Sequence, residues 1–162
     1  MKTLKILFVL CIMLGIALPV NSQDKGKQVV RPMKGTFYEA PGGVAAVSLI
    51  TGNVTHMGNI TGISVIDMSQ AYWENGILWG TLRNVKNSKT KIAANGDEIY
   101  SEACATLVFN VPFDGTGSLY AEAETTGGTG RFKDCTGSVV ARGTFNFITG
   151  YVMYTVEGWI KY

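Results

Sequence analysis

Histidine and cysteine are scarce in this chain, and each scarcity removes a class of chemistry. One histidine and three cysteines stand among 162 residues, and Cys11, Cys104 and Cys135 lie far apart. That falls short of a zinc ligand set, so no metal site is expected. A G-x-S-x-G elbow, a phosphate-binding P-loop and an H-E-x-x-H helix are absent, and no sequence pattern calls for a cofactor. Amphipathic helices of ordinary length, internal repeats of fixed period and low-complexity tracts are also missing. Charge is sparse, at 16% of residues. No like-charge block or basic helix points to nucleic acid or to a membrane surface.

The one long apolar run lies at the start. Lys2 and Lys5 precede an apolar stretch from Ile6 to Val20, and the small Ser22 suits a cleavage position. Residues 1–22 therefore read as a signal peptide, and the product as periplasmic or secreted. The run carries Pro19 and is shorter than the roughly 20 residues that a spanning helix needs, so no membrane anchor is expected after cleavage. Cys11 follows bulky Leu10, where a lipid-attachment site would want a small residue. Without Lys2 and Lys5, 12 basic residues remain against 12 acidic ones. Residues 23–33 are polar and aperiodic and read as a flexible linker, leaving 34–162 as one domain.

Export permits a disulfide between Cys104 and Cys135 without requiring one. The first is expected mid-strand and the second at a strand entrance two strands away, a separation that disfavours a bridge. Two buried free thiols are the alternative.

What the chain has in quantity is glycine, 20 residues, and aromatics, with 7 Tyr, 7 Phe and 3 Trp. Short runs rich in Val, Ile, Thr and aromatics alternate with Gly, Asn, Asp and Pro punctuation. Candidate strands cover 34–39, 44–49, 54–66, 76–86, 89–94, 97–109, 116–126, 135–147 and 151–161. The breaks at Pro41-Gly42-Gly43, Asn75-Gly76, Asn95-Gly96-Asp97, Asp114-Gly115 and Thr149-Gly150 accept positive φ, and turns this tight make neighbours antiparallel. Alternation marks half-buried strands: Val152, Tyr154, Val156, Ile160 and Tyr162 share a face opposite Thr155, Glu157 and Lys161. Val139, Ala141, Gly143, Phe145 and Phe147 likewise oppose Arg142, Thr144 and Asn146. The fold class is all-β, a single antiparallel sheet of about eight strands that closes into a barrel or splits into a sandwich.

Three motifs sharpen that choice. Gly127-Gly128-Thr129-Gly130-Arg131-Phe132, followed by Thr136-Gly137, resembles the GGTGRF-x-x-x-TG signature of dirigent-like and allene-oxide-cyclase-like barrels. Thr55-His56-Met57-Gly58 with Thr61, and Asn95-Gly96-Asp97, are similar to motifs of a bacterial secreted branch of that superfamily. The resemblance spans most of 34–162 and implies a closed, calycin-like barrel of about eight strands. Plant relatives include a cyclase that isomerises an oxidised fatty acid and dirigent proteins that orient radical coupling. Cys135 stands where the motif leads one to expect a small alanine.

Several residues are candidates for chemistry. His56, in a strand-like run, could act as acid or base near neutral pH or serve structure. Asn95-Gly96-Asp97 reads first as a turn, and Glu98 could line a barrel mouth. Arg131 with Asp134 could lock the strand entrance while Phe132 plugs one end; alternatively Arg131 could anchor a carboxylate or phosphate. Glu122 and Glu124 share a strand face, which suits an outer surface better than paired-carboxylate catalysis. Tyr72, Trp73, Trp79, Phe109, Phe145, Tyr154 and Trp159 could line an apolar pocket or fill the core.

The leading functional expectation is a non-catalytic barrel that binds a small apolar or amphipathic ligand in its mouth. The alternatives are an isomerase, cyclase or dirigent-like protein using His56, Glu98 or Arg131, and an envelope interaction scaffold. The last would show homo-oligomers or an exposed aromatic patch.

Overall fold

A computed structural model describes residues 28–43, 47–65, 69, 71–75, 77–80, 90–92 and 96–162. The expected signal peptide, residues 23–27 of the expected linker and Asn95 lie outside the described residues. Ten strands appear among those described: β1 (Val30–Pro41), β2 (Val47–Val54), β3 (Gly58–Val65), β4 (Tyr72–Glu74), β5 (Ile77–Gly80), β6 (Thr90–Ile92), β7 (Glu98–Phe109), β8 (Thr116–Gly128), β9 (Thr136–Asn146) and β10 (Tyr151–Lys161). A single 3-10 turn, Gly130–Phe132, sits between β8 and β9.

All the pairings are antiparallel, as the short turns require. They run from β7 through β6, β3, β2, β1, β10 and β9 to β8, and β8 in turn pairs with β7 along almost its whole length, from Ile99↔Gly128 to Phe109↔Gly117. The β4–β5 hairpin is carried by β7, through Ile77↔Val108 to Gly80↔Ala105.

Three boundaries depart from expectation. β1 starts at Val30 rather than at residue 34, because Val30 to Met33 pair with Lys161 to Gly158 of β10; a sheet partner distant in sequence orders what composition alone reads as a tether. The expected break at Gly52-Asn53 is strand instead. Gly52 pairs with Phe37, and a Cβ at Gly52 would collide with the Thr36 carbonyl oxygen, so the glycine serves close backbone approach. The chain turns later, at Thr55 to Met57, with His56 left-handed at φ 67° and Gly58 at φ 74°.

Alternation sets the core. β1 sends Met33 and Phe37 inward, β2 Ile50 and Val54, and β10 Val156 and Ile160, all buried. Across from them several inward positions of β7, β8 and β9 are small, with Ala103, Ala105, Ala121, Ala123 and Ala141 standing among Ile99, Leu119 and Val139. A sheet with large side chains on one wall and alanines on the other cannot fill its interior to the usual packing density.

Candidate functional site

The unfilled interior is a cavity of about 130 Å³ whose walls include Met33, Phe37, Ile50, Met57, Ile99, Leu119, Ala121, Val139, Ala141 and Val156. Polar groups are few: Glu39, Ser64, Ser101, Thr125 and Tyr154. An apolar chamber with a small number of placed polar groups is the general form of a small-molecule site.

Glu39 and Tyr154 form the chamber's one charged or strongly polar pair among the described residues. The Tyr154 hydroxyl donates to Glu39 Oε1 at 2.8 Å, and its ring stacks on Phe37 with centroids 5.2 Å apart. Ser48, buried, also hydrogen-bonds the Glu39 side chain. Burial pushes the Glu39 carboxyl above its ordinary value, against the opposing pull of the hydrogen bonds from Tyr154 and Ser48. Burial likewise holds the Tyr154 hydroxyl well above its ordinary value, and the adjacent Glu39 adds to this. When protonated, such a carboxyl donates as well as accepts.

Glu39 also borders a second, open hollow of about 590 Å³ at the end of the sheet where β1 finishes and β10 begins. Tyr38, Asn110, Thr116, Asn146, Tyr151 and Val152 line it. Glu39 is thus the residue shared between the two hollows. Sequence reading passed over it because a lone glutamate in Tyr-Glu-Ala carries no motif. The available signals were its in-phase position with Met33 and Phe37 and the alternating alanines opposite.

His56, Glu98 and Arg131 are not among the cavity-lining residues. They meet instead at the other end of the sheet, where the three motifs come together. The Arg131 guanidinium donates to the His56 carbonyl oxygen at 3.0 Å, its Nε lies 3.9 Å from Asp97 Oδ2, and its backbone N–H donates to that same carboxylate at 3.3 Å. Asp134, the expected partner, is replaced by Asp97, because the 3-10 turn lays Gly130 against the Asp97 carboxylate, where a Cβ would collide. Thr129 and Glu98 clamp each other: the Glu98 N–H donates to Thr129 Oγ1 and the Thr129 N–H to the Glu98 carbonyl, each at 2.9 Å. The Glu98 carboxylate accepts from the Tyr100 hydroxyl at 3.1 Å. Phe132 is fully buried and meets Tyr162 edge-on at 4.8 Å. His56 is exposed in its turn, not in a strand.

Of the expected pocket aromatics whose side chains are described, only Tyr154 lines the interior chamber. Phe109 and Phe145 are buried with Leu78 in a separate cluster at the mouth end, and Phe145 borders the open hollow. Tyr72 and Trp159 are exposed, Trp159 on the outer face of β10, and Trp79 is placed in β5 by its backbone alone. The reason is phase and reach: rings at strand ends cap the sheet, while mid-strand inward positions facing the cavity hold alanines. Tyr154 is the member of the aromatic set that faces the chamber. Glu122 and Glu124 lie exposed on the outer face of β8, Glu122 accepting from the Tyr120 hydroxyl at 2.7 Å. Cys104 and Cys135 are free thiols, the former exposed rather than buried. Burial raises the Cys135 pKa to about 11.

No family model matches the chain, and no curated protein matches it. Among solved structures it is similar to a pterocarpan synthase dirigent protein at 13% identity and a TM-score of 0.44, over 84% of this chain and 86% of that one.

Proposed function

We propose that this chain is an exported, closed eight-stranded barrel that holds a small, mostly apolar molecule in its interior, with the molecule's single polar atom hydrogen-bonded to Glu39 or Tyr154. The unbroken succession of pairings from β7 round to β8 supports closure. The observation that carries the binding reading is the apolar chamber with a half-buried Glu39–Tyr154 pair in its wall. An apolar cavity of 150 Å³ takes up benzene, so a chamber of about 130 Å³ suits a ligand of that size. Burying six carbons at about 0.8 kcal/mol each, with about 1 kcal/mol for one hydrogen bond, gives about 6 kcal/mol. That corresponds to a Kd on the order of 10–100 µM.

The test is a thermal-shift and native mass-spectrometry series with toluene, phenol and benzoate. Phenol should raise the melting temperature most, toluene less, and benzoate not at all, because a carboxylate would meet a carboxyl in an apolar wall. A flat response to all three, with no co-purifying small molecule, would overturn the reading. An isomerase would use Glu39 in place of His56, Glu98 or Arg131, none of which lines the chamber, since a protonated carboxyl there can give its proton to a bound substrate. It requires turnover of a bound compound that Glu39→Gln abolishes.

A further inference from the structure

The interior chamber carries polar groups in two places, and only those in one place are hydrogen-bonded to each other. In the first, Tyr154 and Ser48 bond Glu39, and Ser64 stands beside Ser48 in the β2–β3 ladder. In the second, Ser101 of β7 and Thr125 of β8 line the cavity, each half-buried. They stand directly opposite each other in the ladder, where a serine and a threonine can share a hydroxyl hydrogen bond. Neither hydroxyl has a hydrogen-bond partner among the described residues.

The two places lie apart. β8 shows this: Thr116 to Ser118 border the open hollow that Glu39 also borders, whereas Thr125 lies near the far end of the strand, beside the glycine-bearing motifs. Between Thr125 and Leu119 the inward positions of β8 are Ala123 and Ala121, opposite Ala103 and Ala105 of β7. Val139, Ala141 and Val156 continue the apolar wall. The four residues from Thr125 to Ala121, at about 3.4 Å each, make an apolar run of about 14 Å. A hydroxyl in such a wall is unsatisfied until something polar reaches it.

We propose that Ser101 and Thr125 form a second polar contact in the chamber, which selects an uncharged two-ended ligand: a short apolar body with a hydroxyl at each end, one meeting Glu39 and Tyr154, the other Ser101 and Thr125. This rests on the reading of the chamber as a binding site and adds the class of molecule it prefers. A hydroxyl both donates and accepts, as the two side-chain hydroxyls do. An anionic end does not fit, because no Lys or Arg lines the cavity. The volume of about 130 Å³ limits the body to about six carbons.

The test is isothermal titration of the full chain with hexane-1,6-diol and with heptan-1-ol, which carries a methyl group in place of one hydroxyl, so that selectivity is read as a difference of two affinities. Both are titrated into the wild type and into a Ser101→Ala/Thr125→Val variant. That variant removes two unpartnered hydroxyls and keeps the volume of Thr125, so its melting temperature should be no lower. We expect the diol to bind the variant about fivefold more weakly and heptan-1-ol to bind it at least as tightly. If both compounds bind and the variant weakens neither, or weakens both alike, the second contact is overturned while the chamber with one polar contact stands. A wild type that takes up phenol and rejects the diol would overturn the two-ended class alone. Rejection of the diol, heptan-1-ol, phenol and toluene together would overturn the reading of the chamber, and this inference with it.

Discussion

Filling the chamber should stabilise the protein and abolish ligand binding together. Ala121 lines the cavity and is itself buried, directly across β8 from Ala105 of β7 and Ala141 of β9. An unfilled apolar void costs about 24 cal/mol per Å³, so a cavity of 130 Å³ represents about 3 kcal/mol. Ala121→Leu adds three carbons, worth about 2.4 kcal/mol at 0.8 kcal/mol each, and loses about 0.5–1 kcal/mol in rotamer entropy. A net gain of about 1–2 kcal/mol is expected, which for a domain of this size is a rise of about 4–8 °C in Tm. Ala123→Leu, two residues along and also facing the cavity, serves as a second probe in case one site forces an unfavourable rotamer. Differential scanning calorimetry with and without phenol reads both effects. A drop in Tm for both variants, with phenol still stabilising each, would refute the reasoning, because it would mean the interior was already filled and the ligand bound elsewhere.

Glu39→Gln should flatten part of the pH dependence of stability. The Glu39 pKa is raised from 4.5 by burial, so its protonated form contributes stability fully below that value, and this is lost as pH rises through the folded pKa. The variant should therefore gain on the wild type in urea midpoint as pH rises above 4.5, and a constant difference would show that Glu39 titrates alike folded and unfolded. At the opposite end, Phe132→Ala should cost about 3–5 kcal/mol, because Phe132 is wholly buried. Arg131→Met should cost only about 1 kcal/mol, one exposed hydrogen bond and a long ion pair, by the same urea titration; a loss as large as that of Phe132 would mean that the arginine does more than hold the turn. Cys104 should react with a thiol reagent in the native protein while Cys135 reacts only on denaturation, since the latter is buried with its pKa raised to about 11. Equal rates for the two thiols would contradict that burial.

The strands were legible because their signal is local. Period-two alternation in 135–147 and 151–161 is written into adjacent residues, and left-handed Gly115 and Gly150 turn the chain where Asp114-Gly115 and Thr149-Gly150 predict. What departed from expectation were judgements that depended on a partner distant in sequence. Nothing near Val30 announces β10, nothing near Gly52 announces the Thr36 carbonyl, and Arg131 finds Asp97 rather than its sequence neighbour Asp134. The chamber was hard to read for a related reason: room in it comes partly from Ala103, Ala121, Ala123 and Ala141, which carry no reactive side chain to mark them.

The sequence alone, then, determined an all-β antiparallel architecture, the places where the chain reverses, and which face of each long strand is apolar. These follow from backbone sterics and pleat, which each residue carries with it. Only the tertiary structure decided that large side chains of β1 and β10 face alanines of β7, β8 and β9 across an unfilled interior. It alone put Glu39 into that interior beside Tyr154, and gathered the three glycine-bearing motifs at one end and the exposed rings at the other. Volume, dielectric surroundings and cross-strand register are properties of pairs and walls, and no single stretch of chain contains them.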